Sequence, residues 1–114
     1  MHAVYAGHNE KATIGLARWA GSAAEFGDAA TVRLTGFQRV GKAGDGTFNG
    51  SAVWATEMNG AIQGTPYFAI LYVLRDKDEM LCWVFALSAY PVDTGFLNRT
   101  WTLAQAAGVG EYPK

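Results

Sequence analysis

The middle of the chain carries the hydrophobic pattern of strands. Val32, Leu34 and Val40 alternate with Thr31, Arg33, Thr35 and Arg39, the period of a half-buried strand. The later runs Tyr67 to Leu74 and Met80 to Leu87 are apolar on both faces and rich in β-branched and aromatic residues. Such strands lie centrally in a sheet with material packed on each side. Between two of the runs sits Asn59-Gly60, a dipeptide that readily takes the positive φ angles of a type I′ turn. A tip there would set Met58 opposite Ala61, Trp54 opposite Thr65 and Ala52 opposite Tyr67. Pro66 strains that pairing, because proline has no N–H to give to a ladder, and predicts a bulge or an unpaired side. The charged segment Arg75-Asp76-Lys77-Asp78-Glu79 makes a second tip, and the loop from Gly41 to Gly46 a third. The pattern therefore predicts an α+β fold with an antiparallel sheet of four or more strands, a meander over 31–40, 47–58, 61–74 and 80–90.

Two segments follow helical rules instead. Ser22-Ala23-Ala24-Glu25 is a capping-box pattern, in which serine and glutamate satisfy each other's free backbone donors, and it predicts a short helix over 22–30. At the carboxyl end Asp93 or Thr94 can cap a helix over 94–107 whose apolar positions Leu97, Trp101, Ala104 and Ala107 fall at helical spacing, with Gly108 as terminator. Residues 2–20 fit two readings. Ile14, Leu16, Trp19 and Ala20 suit a helix, but Gly15 and Gly21 each cost it about 1 kcal/mol relative to alanine. Thr13 and Ile14 prefer strands, which favours a hairpin around His8-Asn9-Glu10-Lys11.

Carrying these registers outward sorts the strand side chains into two faces. Val32, Leu34, Val53, Phe68, Ile70, Tyr72, Leu81, Trp83, Phe85 and Leu87 form a bulky, uncharged face suited to burial under the helices. The opposite face collects Arg33, Arg39, Phe48, Trp54, Tyr67, Leu71, Val84, Ser88 and Tyr90 around small residues. Large aromatics mixed with arginine have the composition of a recognition surface, and Arg33, Arg39, Trp54, Tyr67 and Tyr90 are its candidate binding residues. The plainer alternative is cross-strand stacking on a solvated face, Arg33 against Trp54 and Arg39 against Phe48.

Composition narrows the chemistry. With 114 residues the chain holds one core, so 1–114 reads as a single domain. At 50% hydrophobic and 17% charged residues it is too apolar to stay disordered. A net charge of −1 offers no positive field to gather nucleic acid or an anionic membrane, so neither is an expected partner. The charged segment splits the apolar region into pieces too short to cross a bilayer. Cys82 is the single cysteine, which excludes an internal disulfide and, with no leader pattern at the amino end, reads as cytoplasmic. The acceptor patterns Asn49-Gly50-Ser51 and Asn98-Arg99-Thr100 are then chance matches.

No chemical motif survives inspection. Gly36 to Lys42 reproduces the G-x-x-x-x-G-K opening of a phosphate loop, but Ala43 stands where a magnesium-binding hydroxyl belongs and no helix signal follows. Glu57 and the carboxylates of the charged turn show no partner, Asp93 is better used as a cap, and Cys82 lies in an apolar run with no histidine nearby. No catalytic residue, cofactor or metal ligand is assigned. The sequence is thus read as a small non-enzymatic binding or accessory protein that forms a homodimer through its aromatic and arginine face, with a small apolar or aromatic ligand as a further candidate partner. The alternative is a ligand-binding or isomerase-like enzyme, with an apolar cavity between sheet and helices that places Tyr67, Trp54 and one carboxylate around its substrate.

Overall fold

The structure is a computed structural model that describes residues 2–6, 10–48, 51–75 and 80–108. It has the expected α+β architecture. In chain order the elements are β1 (His2–Ala6), β2 (Glu10–Arg18), α1 (Ala23–Val32), β3 (Phe37–Phe48), β4 (Ser51–Ile62), β5 (Thr65–Arg75), β6 (Met80–Ala89) and α2 (Phe96–Gly108). The strands form one antiparallel sheet in the order β1-β2-β6-β5-β4-β3. The amino-terminal hairpin is present, with residues 7–9 of its tip outside the described residues. From β2 the chain crosses one face of the sheet as α1 and reaches the far edge at β3. It then meanders back until β6 pairs with β2.

The first strand of the meander starts later than its alternating pattern predicts. Residues 31 and 32 continue α1, Arg33 is its C-cap, and Val32 is left 82% exposed. Helix propagation explains this, since each added residue gains a backbone bond once the capped, alanine-rich first turns exist. Gly36, at φ +87°, turns the chain into β3. The expected loop at Gly41 to Gly46 is instead strand, with a register shift between Val40 and Gly44 that Gly41 accommodates at φ +72°. Phe48 pairs with Ser51, and residues 49–50 between them lie outside the described residues.

The β4–β5 tip is also displaced, from Asn59-Gly60 to Gln63-Gly64, both at positive φ (51° and 81°). Asn59 and Gly60 lie in the ladder opposite Phe68 and Tyr67. The later tip gives both strands full length, buries Met58 to 1% exposure and puts Pro66 at the second position of β5, where a missing donor is tolerated. Gly60 serves a close approach rather than a turn. A methyl there would lie 2.3 Å from the Gly36 carbonyl oxygen and 2.6 Å from the Phe37 ring.

Trp54 therefore faces Val73 and not Thr65, a slide of eight positions. An even slide keeps every residue on its own face, so the sorting predicted for β4 and β5 is found. The β5–β6 register differs by one position, with Tyr72 opposite Val84, and one position exchanges the faces of β6. Leu81, Trp83, Phe85 and Leu87 join Trp54, Met58, Leu71 and Val73 beneath α1. Cys82, Val84 and Ala86 join Val53, Phe68, Ile70, Tyr72 and Leu74 beneath α2. The charged segment expected to form the tip, residues 76–79, lies outside the described residues.

Each helix thus covers one face. On α2, Phe96, Thr100 and Ala104 are fully buried, Trp101 packs on Tyr72 with ring centroids 5.7 Å apart, and Leu97 points outward at 42% exposure. Among the described residues no helix is long and apolar enough to cross a membrane.

Candidate functional site

The placement of α1 creates the main concavity. Its amino end carries the predicted capping box: the Glu25 N–H donates to Ser22 Oγ at 3.1 Å, and the Ser22 N–H donates to the Glu25 carboxylate at 3.3 Å. The buried positions Ala23 and Gly27 press against the sheet. A methyl at Gly27 would fall 2.2 Å from the Trp54 ring, so the indole lies directly against the helix backbone. This draws α1 down onto β4 and β5 and leaves part of the β6 and β2 surface uncovered.

The uncovered part is an apolar cleft of about 460 Å³. Its floor is Leu71, Trp83 and Phe85 with Thr13 of β2, and its helical wall is Phe26, Ala29, Ala30 and Arg33, continued by Leu34. Trp83 lies across β2 only because residue 15 is glycine, where a methyl would sit 2.3 Å from its Cζ2. Trp19 closes one end, edge-to-face with Phe26 at 5.4 Å. Thr13 turns its hydroxyl to the Phe85 carbonyl at 3.4 Å. Arg33 is the one charged residue among the lining residues, which include no carboxylate and no histidine. Such walls present flat apolar surface for contact.

The predicted site residues separate. Arg39 and Trp54 do meet, with the guanidinium carbon 5.2 Å from the ring centroid. The same guanidinium donates to the Asp28 carboxylate at 2.6 Å and to Thr31 Oγ1 at 2.7 Å, tying β3 to α1 beside a smaller hollow of about 290 Å³. Arg33 does not stack on Trp54 and stands at the mouth of the main cleft instead. Trp54 itself is only 4% exposed. Tyr67 and Tyr90 are at another end of the sheet: Tyr67 is half-buried opposite Gly60 and Ala89, and the exposed Tyr90 donates its hydroxyl to the Asn59 side chain. Neither lines the cleft.

Trp19, Phe26, Trp83 and Phe85 are the functional candidates that sequence reasoning missed. Phe26, Ala30 and Arg33 fall at i, i+4 and i+7, a helical stripe legible once the helix runs past residue 30. Trp83 and Phe85 reach the cleft because the β5–β6 register differs by one position from the expected one.

On the α2 face the titratable group of note is Tyr72. Burial pushes its phenol above the usual value, the nearby Glu57 charge adds to this, and a 3.5 Å hydrogen bond with Thr100 works against it. It stays protonated at neutral pH. Gly36 to Ala43 runs from a turn into β3 with no helix behind it, so it makes no phosphate cradle. Among the described residues, no three His, Cys, Asp or Glu side chains are grouped to hold a metal ion. No protein-family model matches the chain, and no curated protein matches it either.

Proposed function

We propose that this protein is a non-enzymatic binding protein that holds a small apolar or aromatic ligand in the cleft between α1 and the β2–β6–β5 floor. The observation that carries the reading is the cleft itself, about 460 Å³ with Trp19, Phe26, Trp83 and Phe85 in its walls. That volume falls within the usual range for small-molecule sites, roughly 300 to 1,000 Å³. An isomerase-like reaction has less support, because no carboxylate lines the cleft and Trp54 lies under α1 away from its mouth. Self-association through the aromatic and arginine face retains Arg33, Tyr67 and Tyr90 as accessible members, since Trp54 and Arg39 are engaged within the chain. A cytoplasmic setting, where a lone buried thiol such as Cys82 stays reduced, is part of the proposal.

Titration with N-phenyl-1-naphthylamine, a neutral apolar fluorophore, tests the reading. The parent protein binds it saturably. Ala29→Trp, which sets an indole over the mouth from an exposed helical position, weakens binding at least about tenfold with an unchanged circular dichroism spectrum. Absence of saturable binding by the parent, or equal binding by Ala29→Trp, overturns it.

A further inference from the structure

Resting on the cleft reading above, we infer that the ligand is a planar aromatic monoanion whose acidic group, a carboxylate or its chemical equivalent, pairs with Arg33 while its rings lie between α1 and Trp83. The inference comes from how the arginines near α1 are employed. Arg39 holds the Asp28 carboxylate, and on the other side of the sheet Arg99 holds both Asp93 and Glu10. Arg33 has no carboxylate or hydrogen-bond acceptor for its guanidinium among the described residues. The acids nearest to it in sequence are committed elsewhere, Asp28 to Arg39 and Glu25 to the capping box.

An arginine at a helix C-terminus often bonds the last free carbonyls. Two of those carbonyls already have backbone donors, and a side chain takes a third one turn back. The Ala30 carbonyl accepts from the Arg33 N–H, the Thr31 carbonyl from the Leu34 N–H, and the Asp28 carbonyl from Thr31 Oγ1. Among the described residues the Arg33 fork is left over at the rim of an apolar cleft whose lining holds no opposing negative charge. A guanidinium in that position favours an anion and repels a cation, and its planar fork matches a carboxylate in bidentate fashion. The walls add the second requirement. The Trp83 indole on the floor and the Phe26 and Trp19 rings beside it present flat apolar surfaces, so the body of the ligand is aromatic rather than a sugar or a polyamine.

Paired fluorophores that differ only in the anion test this: 1-anilinonaphthalene-8-sulfonate and its neutral parent N-phenyl-1-naphthylamine. Arg33→Gln should raise the dissociation constant of the sulfonate about tenfold and leave that of the neutral compound unchanged. Lys42→Gln, which removes a positive charge from an exposed position of β3 outside the cleft, should change neither. Added salt should weaken the sulfonate alone. If the parent binds both compounds and Arg33→Gln alters neither, or alters both equally, the anion assignment is overturned and the cleft reading stands. If the parent binds neither, the cleft reading falls and the assignment with it.

Discussion

The two faces of the sheet are built from the same strands and yet end in different states. Beneath α2 the packing is closed: Phe96, Thr100 and Ala104 have no exposed surface, Phe96 meets Phe68 edge-on at 6.0 Å, and the β6 side chains there are the small Cys82, Val84 and Ala86. Beneath α1 the β6 side chains are the large Leu81, Trp83, Phe85 and Leu87, and the last three stay partly exposed. Small residues let α2 settle onto β5 and β6. Large ones hold α1 over β4 and β5, where Gly27 admits Trp54, and the flank remains open. A closed face contributes stability through area removed from water, whereas an open apolar flank gives up part of that area and leaves the cleft on which the proposed function rests.

The largest expected effect separates the faces directly. Phe96→Ala should cost about 3 to 5 kcal/mol, as a cavity in a closed core does, while Phe85→Ala at the half-open cleft should cost about 1 to 2 kcal/mol. Urea unfolding of both variants checks this. Equal costs would mean that the two faces are packed alike.

Gly15→Ala sharpens the comparison from the open side. The new methyl displaces the Trp83 ring, so stability should fall by about 1 to 3 kcal/mol, tryptophan emission should shift to the red, and naphthylamine binding should weaken. Retention of parental emission and binding would show that Trp83 does not form the floor.

On the closed side Tyr72→Phe should cost about 0.5 to 1.5 kcal/mol at neutral pH through loss of the Thr100 bond. Its effect on alkaline stability has the opposite sign. Because burial raises the phenol's folded-state value above that of the unfolded chain, the native fold loses stability as pH rises past about 10. Tyr72→Phe should flatten that loss, and thermal unfolding from neutral to alkaline pH measures it.

The smallest effect concerns the anchoring of α2. A hydrogen bond from the Arg99 guanidinium, 2.8 Å from the carboxylate, holds the Asp93 carboxyl below the ordinary range. A lowered folded-state value stabilises the native form above pH about 4 and loses that contribution as pH falls further. The pair is solvent-exposed, so Asp93→Asn should lower the melting temperature only slightly at pH about 6, with the difference shrinking as pH falls below about 4. A difference that persists at the lower pH would assign Asp93 a structural role independent of its charge, such as its bond from the Gly95 N–H.

What the sequence determined by itself is the part governed by near neighbours. The capping box at Ser22 and Glu25 starts α1, the helical spacing that includes Trp101 and Ala104 yields α2, and alternation within β4 and β5 assigns Trp54 and Tyr72 to opposite faces. Each of these depends on contacts within a few residues, so composition and spacing carry it. The tertiary structure decided register. Asn59-Gly60 has the stronger turn chemistry, yet Gln63-Gly64 is the tip, because long-range packing of Met58 and the placement of Pro66 outweigh a local turn preference. It also decided the parity of β6, where a single residue moves Trp83 and Phe85 from one face to the other. The candidate cleft is a product of the second decision, since the even slide of β4 against β5 leaves their faces unchanged. Its residues come from β2, α1, β5, β6 and the segments that flank α1, and they share a wall only because pairings distant in sequence bring them onto one side of the sheet.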